Sequence, residues 1–264
     1  MKLFSLGHLV AYSIRLSCVR AISYRRDLIA DLALSLIGPA SALVGLIMIF
    51  SQTDQLGGWS FGEALVLLGM FHVLGGFKAA LLDPWLGWFP VIAVRDGALD
   101  VFLLRPGSPP VLGMLALIRC AVLVQSAFGA VTATVGLTAA GERVSASSAV
   151  LCAVALVVGC FVMFFFAKGL AALSLFAASL QLDVFFGSVW QFGRYPVTVY
   201  SDPVRVVLTV VLPVGALSVL PAEFLLGQFR YDHFGISVTV ATVVMLVSWS
   251  LWRSGIRRYS GVAA

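Results

Sequence analysis

A series of apolar runs near the length of a bilayer crossing constrains this chain more than any other feature. The runs cover residues 28–50, 61–82, 111–137, 148–167, 206–220 and 234–252. A helix needs about 20 mostly apolar residues to cross the hydrocarbon of a membrane. Of all residues, 61% are hydrophobic and 11% charged. A soluble domain carries roughly 45–50% apolar and about 25% charged residues. Lipid must therefore be the solvent for most of the surface. With no water to satisfy backbone groups, the spans must be helices. The expected fold is an all-α membrane protein, a single transmembrane domain over residues 1–264 with six transmembrane helices.

Charge sets the expected topology. Residues 1–26 carry Lys2, Arg15, Arg20, Arg25 and Arg26, scattered rather than gathered before one apolar core. A cleavable leader would gather them. Leu3, Leu6, Val10, Ile14, Cys18 and Ala21 fall close to one helical stripe, which predicts an amphipathic helix over 1–27 along the cytoplasmic interface. With the N-terminus inside, the inner segments would hold those five cations, then Arg95 and Arg105, Arg194 and Arg205, and finally Arg253, Arg257 and Arg258. The outer loops would hold Arg143 and Arg230. That asymmetry favours six spans with both termini cytoplasmic. Lys168 stands about 20 residues into the fourth run, where a helix leaves the bilayer. Leu170, Leu173, Phe176 and Leu180 then repeat at helical spacing, so 168–205 is expected to follow the inner interface. The short polar stretch Pro221–Asp232 is expected to dip back into the outer leaflet.

Most chemistry is absent from the pattern. The chain has no GxxxxGKS or GxxxxGKT loop and no HExxH. Three scattered histidines and four cysteines without a CxxC offer no metal or disulfide framework. No enzymatic activity, cofactor or metal is expected. The net charge of +5 is assigned to topology and anionic membrane lipid, not to nucleic acid. Ionisable residues inside spans are costly. Asp31 and Glu63 lie near span ends, and Lys78 and Lys168 can snorkel to the inner interface. Arg119 is deeper, about eight residues into its run, where it could pair with an acidic group or line a wet cavity.

Between the second and third runs lies a polar island within 83–110, Val94-Arg95-Asp96-Gly97-Ala98-Leu99-Asp100-Val101-Phe102-Leu103-Leu104-Arg105-Pro106. Leu99, Phe102 and Leu103 recur at helical spacing, and Pro106 ends the segment. A short amphipathic helix between spans is a docking surface, for lipid headgroups or for a soluble partner.

This stretch, VRDGALDVFLLRP, resembles the IRDGxLDxxLLRP signature of bacterial ABC-2 family transporter permeases. A second segment is similar to the family's RYP…YP…LR…LTFVLP…PA…LLG pattern: Arg194-Tyr195-Pro196, Tyr200, Pro203-Val204-Arg205, Leu208-Thr209, Leu212-Pro213, Pro221-Ala222 and Leu225-Leu226-Gly227. Asp202 departs from a common aromatic, and Leu217-Ser218-Val219 replaces a more aromatic stretch. The resemblance implies an exporter permease of the bacterial inner membrane, paired with a second permease, sister or identical. Two copies of a P-loop ATPase would bind ATP and Mg. It implies that 83–110 is a cytoplasmic loop carrying a coupling helix. Leu99, Phe102, Leu103 and Leu104 would then supply the apolar contact, with Arg95, Asp96, Asp100 and Arg105 as its charged rim. Gly97 would allow the helix start. The second and fifth spans would line the substrate path, with Phe61, Met70, Phe71 and Phe77 as candidates and Arg119 beside them. The alternative is a structural or scaffold subunit of an envelope or secretion complex.

Overall fold

The computed structural model describes residues 6–105, 107–177, 180, 182–211 and 214–259. The expected positions Lys2, Leu3, Pro106, Leu212 and Pro213 lie outside these. All named elements among the described residues are helical. They are α1 (Leu6–Ser23), α2 (Arg25–Phe50), α3 (Phe61–Arg95), α4 (Leu99–Leu103), α5 (Pro109–Ala116), α6 (Cys120–Ala140), α7 (Ala146–Ser174), α8 (Leu182–Trp190), α9 (Asp202–Val206), α10 (Val214–Leu225) and α11 (Tyr231–Arg258). Among them α2, α3, α6, α7 and α11 are long and apolar enough to cross a membrane.

The bundle is built around α3. Its first turn is fixed by a capping box: Ser60 accepts from the Glu63 amide, and the Glu63 carboxylate accepts from the Ser60 amide at 2.8 Å. Along α3, Gly62, Gly69 and Gly76 recur every seven residues and face α6. A Cβ on Gly69 would sit 2.5 Å from the Ala133 amide nitrogen, and one on Gly62 would sit 2.5 Å from that of Ala140. Gly129 and Gly136 return the contact from α6, and the Ser126 hydroxyl donates to the Val73 carbonyl at 2.7 Å. Small residues that let backbones touch are how helices associate where lipid removes the hydrophobic drive.

The second span runs on past residue 82. The helix continues to Arg95 through two π segments, Lys78–Leu82 and Phe89–Arg95. Pro84 and Pro90 each lack an amide proton. The wider turns beside them keep the helix going where a proline would otherwise end it. The connection expected over 83–110 therefore begins only after Arg95. The third run breaks at 117–119, separating α5 from α6. The freed amides find partners there: Arg119 donates to the Ala80 carbonyl and Cys120 to the Ser17 hydroxyl, both at 3.0 Å.

Two further expectations are corrected. The helix holding Lys168 continues to Ser174, and the segment after it enters the bundle instead of following a surface. Asp183 lies beside Gly87, Trp190 stacks on Phe71 at 4.9 Å, and the Thr198 hydroxyl donates to the Gly57 carbonyl at 2.7 Å. Residues 182–199 thus run from the α4 end of the molecule to the Ser51–Ser60 end. The run 206–220 is not one straight helix. Its neighbourhood is α9, a π segment Val207–Val211, and α10, with Pro221 inside α10. It begins and finishes at the Ser51–Ser60 end: Arg205 and Thr209 share a cavity with His233, and Gln228 donates to Glu63 at 2.8 Å. Arg205 therefore sits at the end expected to hold few cations. The N-terminal helix exists as α1, but it turns Leu9, Val10, Leu16, Ser17 and Ala21 inward, whereas Ile14 and Cys18 of the expected stripe are exposed.

Candidate functional site

The polar island folds as a sharp corner and a short helix. Gly97 adopts a left-handed φ of 78°, which a side chain would strain. The corner lets α4 fold back on the end of α3. Leu99 is 1% exposed and belongs to the chain's own core. Phe102 meets the Trp88 ring edge-on at 5.5 Å, and Arg105 lies over Phe102 at 5.5 Å. Two of the four residues expected to supply the apolar contact therefore seat the helix. Val101, Leu103 and Leu104 form the outward apolar set, with Leu104 87% exposed. The charged rim is present but paired differently from a simple surface pattern. Arg95 donates to Asp96 at 3.1 Å in an exposed ion pair. Asp100 faces Tyr259 rather than Arg105. Burial, and then that carboxylate, push the Tyr259 phenol above its ordinary value.

The substrate-path candidates do not share one surface. Phe61 is at the Ser51–Ser60 end, edge-on to Phe50 at 5.4 Å. Met70 is buried against Cys152, and Phe77 is half-buried beside the core. Arg119 sits at the break before α6, ion-paired with Asp31 of α2. Phe71 lines a cavity of about 270 Å³ between α2, α3, α6 and α8, and Arg119 lines a separate one of about 230 Å³.

The cavity at Phe71 is polar although the helices that frame it are apolar, and it opens beside the exposed Leu34 of α2. Pro39 in α2 lacks the amide that would bond the Ser35 carbonyl, and both line it. Lys78 donates to Asp83 at 2.7 Å across it; the i→i+5 bonding of the π segment brings these residues, five apart, onto one face. The Lys78 ammonium also lies 4.8 Å from the centre of the Phe186 ring. His72, Gln125 and Arg194 complete the polar lining. Lys78 was expected to snorkel to the interface. It is instead held inside by Asp83, because α3 runs on past it.

The sequence reading missed one buried acid. Glu223 in α10 is 3% exposed and bonded to His233 Nδ1 at 2.8 Å. A carboxylate inside the apolar run 214–226 was the available signal.

The layout is a central glycine-packed pair, an inner polar cavity and a seated corner helix at one end. No curated protein and no solved structure matches the chain. The family described as ABC-2 family transporter protein matches residues 36–263, which take in the corner helix, most of the cavity's lining and four of the long helices entirely. The chain is a multi-pass membrane protein that belongs to the ABC-2 transporter family, whose permeases associate with an ATP-binding partner.

Proposed function

We propose that this chain is the permease subunit of an ATP-driven exporter in a bacterial inner membrane, with both termini cytoplasmic. The sixth crossing is made by residues 182–199. The chain hydrolyses no ATP itself; ATP and Mg are bound by two copies of a partner ATPase, and a second permease, sister or identical, completes the path. One observation carries the reading. The corner helix α4 is anchored on its inner side by Leu99 and Phe102 and offers Val101, Leu103 and Leu104 outward. The continuous helix α3 links that contact to Lys78 and His72 in the polar cavity, so movement of a docked ATPase would reach the path through it. The test is co-purification of the ATPase and ATP turnover of the complex. Leu103→Ala with Leu104→Ala should remove about 2–4 kcal/mol of docking while leaving the permease folded. Wild-type ATPase binding and turnover in that double variant would refute α4 as the coupling element.

A further inference from the structure

A groove of about 250 Å³ separates α1 from α5 at the α4 end of the molecule. Leu9 and Leu16 of α1 and Leu112 and Leu115 of α5 line its sides. Two arginines line it as well, Arg20 from the last turn of α1 and Arg105 just beyond α4. Among the described residues neither has a carboxylate within ion-pair distance. Arg105 rests on the Phe102 ring, which leaves its charge uncompensated. Asp27 and Asp31 line an adjoining cavity that Arg20 also borders, and Asp31 is held there by Arg119. A free anion would satisfy the two cations and leave the leucines bare. A neutral lipid would cover the leucines and leave the cations unmatched. An anionic amphiphile satisfies both.

We propose that this groove holds an anionic phospholipid, with its phosphate between Arg20 and Arg105 and its acyl chains along the four leucines. The lipid would tie α1 to the segment that follows α4. Its assignment to the inner leaflet rests on the orientation given under Proposed function; the binding itself does not.

The full chain, purified in detergent, would be mixed with phosphatidylglycerol and phosphatidylcholine of identical acyl chains, and bound lipid counted by native mass spectrometry. The wild type should retain phosphatidylglycerol in preference to phosphatidylcholine, with excess inorganic phosphate failing to displace it. Arg20→Gln with Arg105→Gln should weaken phosphatidylglycerol retention roughly tenfold and leave phosphatidylcholine unchanged. Arg20→Lys with Arg105→Lys should restore most of it. Ala116→Phe, which fills the groove and keeps both arginines, should also lose the lipid. Equal retention of the two lipids, or wild-type retention in either the double glutamine variant or Ala116→Phe, would overturn the proposal. Displacement by inorganic phosphate would replace it with a free-anion site. The readout is bound lipid, so a failure of ATPase coupling would leave this result standing.

Discussion

The apolar stretches of α3 and α11 have the same mean hydropathy, yet 78% of the first is buried and 11% of the second. In water that equality would be paradoxical, because apolar surface is what drives burial. In lipid it is expected, because hydrocarbon solvates leucine as well as a neighbouring helix does. What separates the two helices is shape. α3 presents Gly62, Gly69 and Gly76 every seven residues, and α6 answers with Gly129, Ala133 and Gly136. α11 turns Ile236, Val243, Leu246 and Trp249 outward, and its one open glycine, Gly235, touches nothing within 4 Å of where a Cβ would stand. Position in the bundle follows from where backbones can approach, not from how greasy the helix is.

The sharpest way to break this comparison is to put the same side chain at both kinds of glycine. Gly69→Leu would drive a side chain into the Ala133 and Gly129 backbones, where only a helix shift can make room. Overpacking costs of about 1–3 kcal/mol assume flexible neighbours, so this variant should exceed that range and fail to yield monodisperse protein in detergent. Gly235→Leu should leave yield and thermal stability near wild type. If both variants behave alike, the glycine seam is not what selects α3 as the central helix.

The same contrast recurs within the few residues of α4. Leu99 is 1% exposed and Leu104 is 87% exposed. Leu99→Ala should destabilise the folded chain by about 2–4 kcal/mol, read as a lowered melting temperature of the purified permease alone. Leu104→Ala should leave that temperature unchanged. Equal effects would mean that α4 is not seated on the end of α3.

Much of this was legible in the residues, for reasons that also explain what was not. The long runs of α2, α6, α7 and α11 are visible because bilayer thickness fixes helix length. The island at Arg95–Arg105 is visible because charge is scarce elsewhere. The extent of α3 was hidden by Pro84 and Pro90, which read as helix ends unless a π turn absorbs them. The break at 117–119 carries no glycine or proline; it exists because Ala80, Ser17 and Asp31 offer partners from other helices, which one run of sequence cannot show. The passage of 182–199 through the bundle was hidden because it is made of short helical pieces around Arg194, not of one apolar run. Leu99 was assigned to the wrong side of α4 because periodicity marks an apolar stripe without saying which neighbour it meets. The heptad glycines were in plain view, and only the α6 sequence read beside them gives them meaning.

The ion pairs extend the comparison to smaller energies. Arg119 and Asp31 join α6 to α2, with side chains 51% and 22% exposed, whereas Arg95 and Asp96 are neighbours in sequence with side chains 67% and 45% exposed. The first pair holds two helices together, so its loss reaches beyond the two residues. The second restrains side chains that the backbone already keeps close, in contact with solvent and salt. A double-mutant cycle with Arg95→Ala and Asp96→Ala should return a coupling of about 0–1 kcal/mol, shrinking further as ionic strength rises. The cycle with Arg119→Ala and Asp31→Ala, measured by thermal melts in the same detergent, should return the larger coupling and weaker salt dependence. A larger, salt-insensitive coupling at Arg95–Asp96 would mean that this pair is shielded in the purified chain. The charged rim of α4 would then be part of the fold instead of a surface left open for a partner.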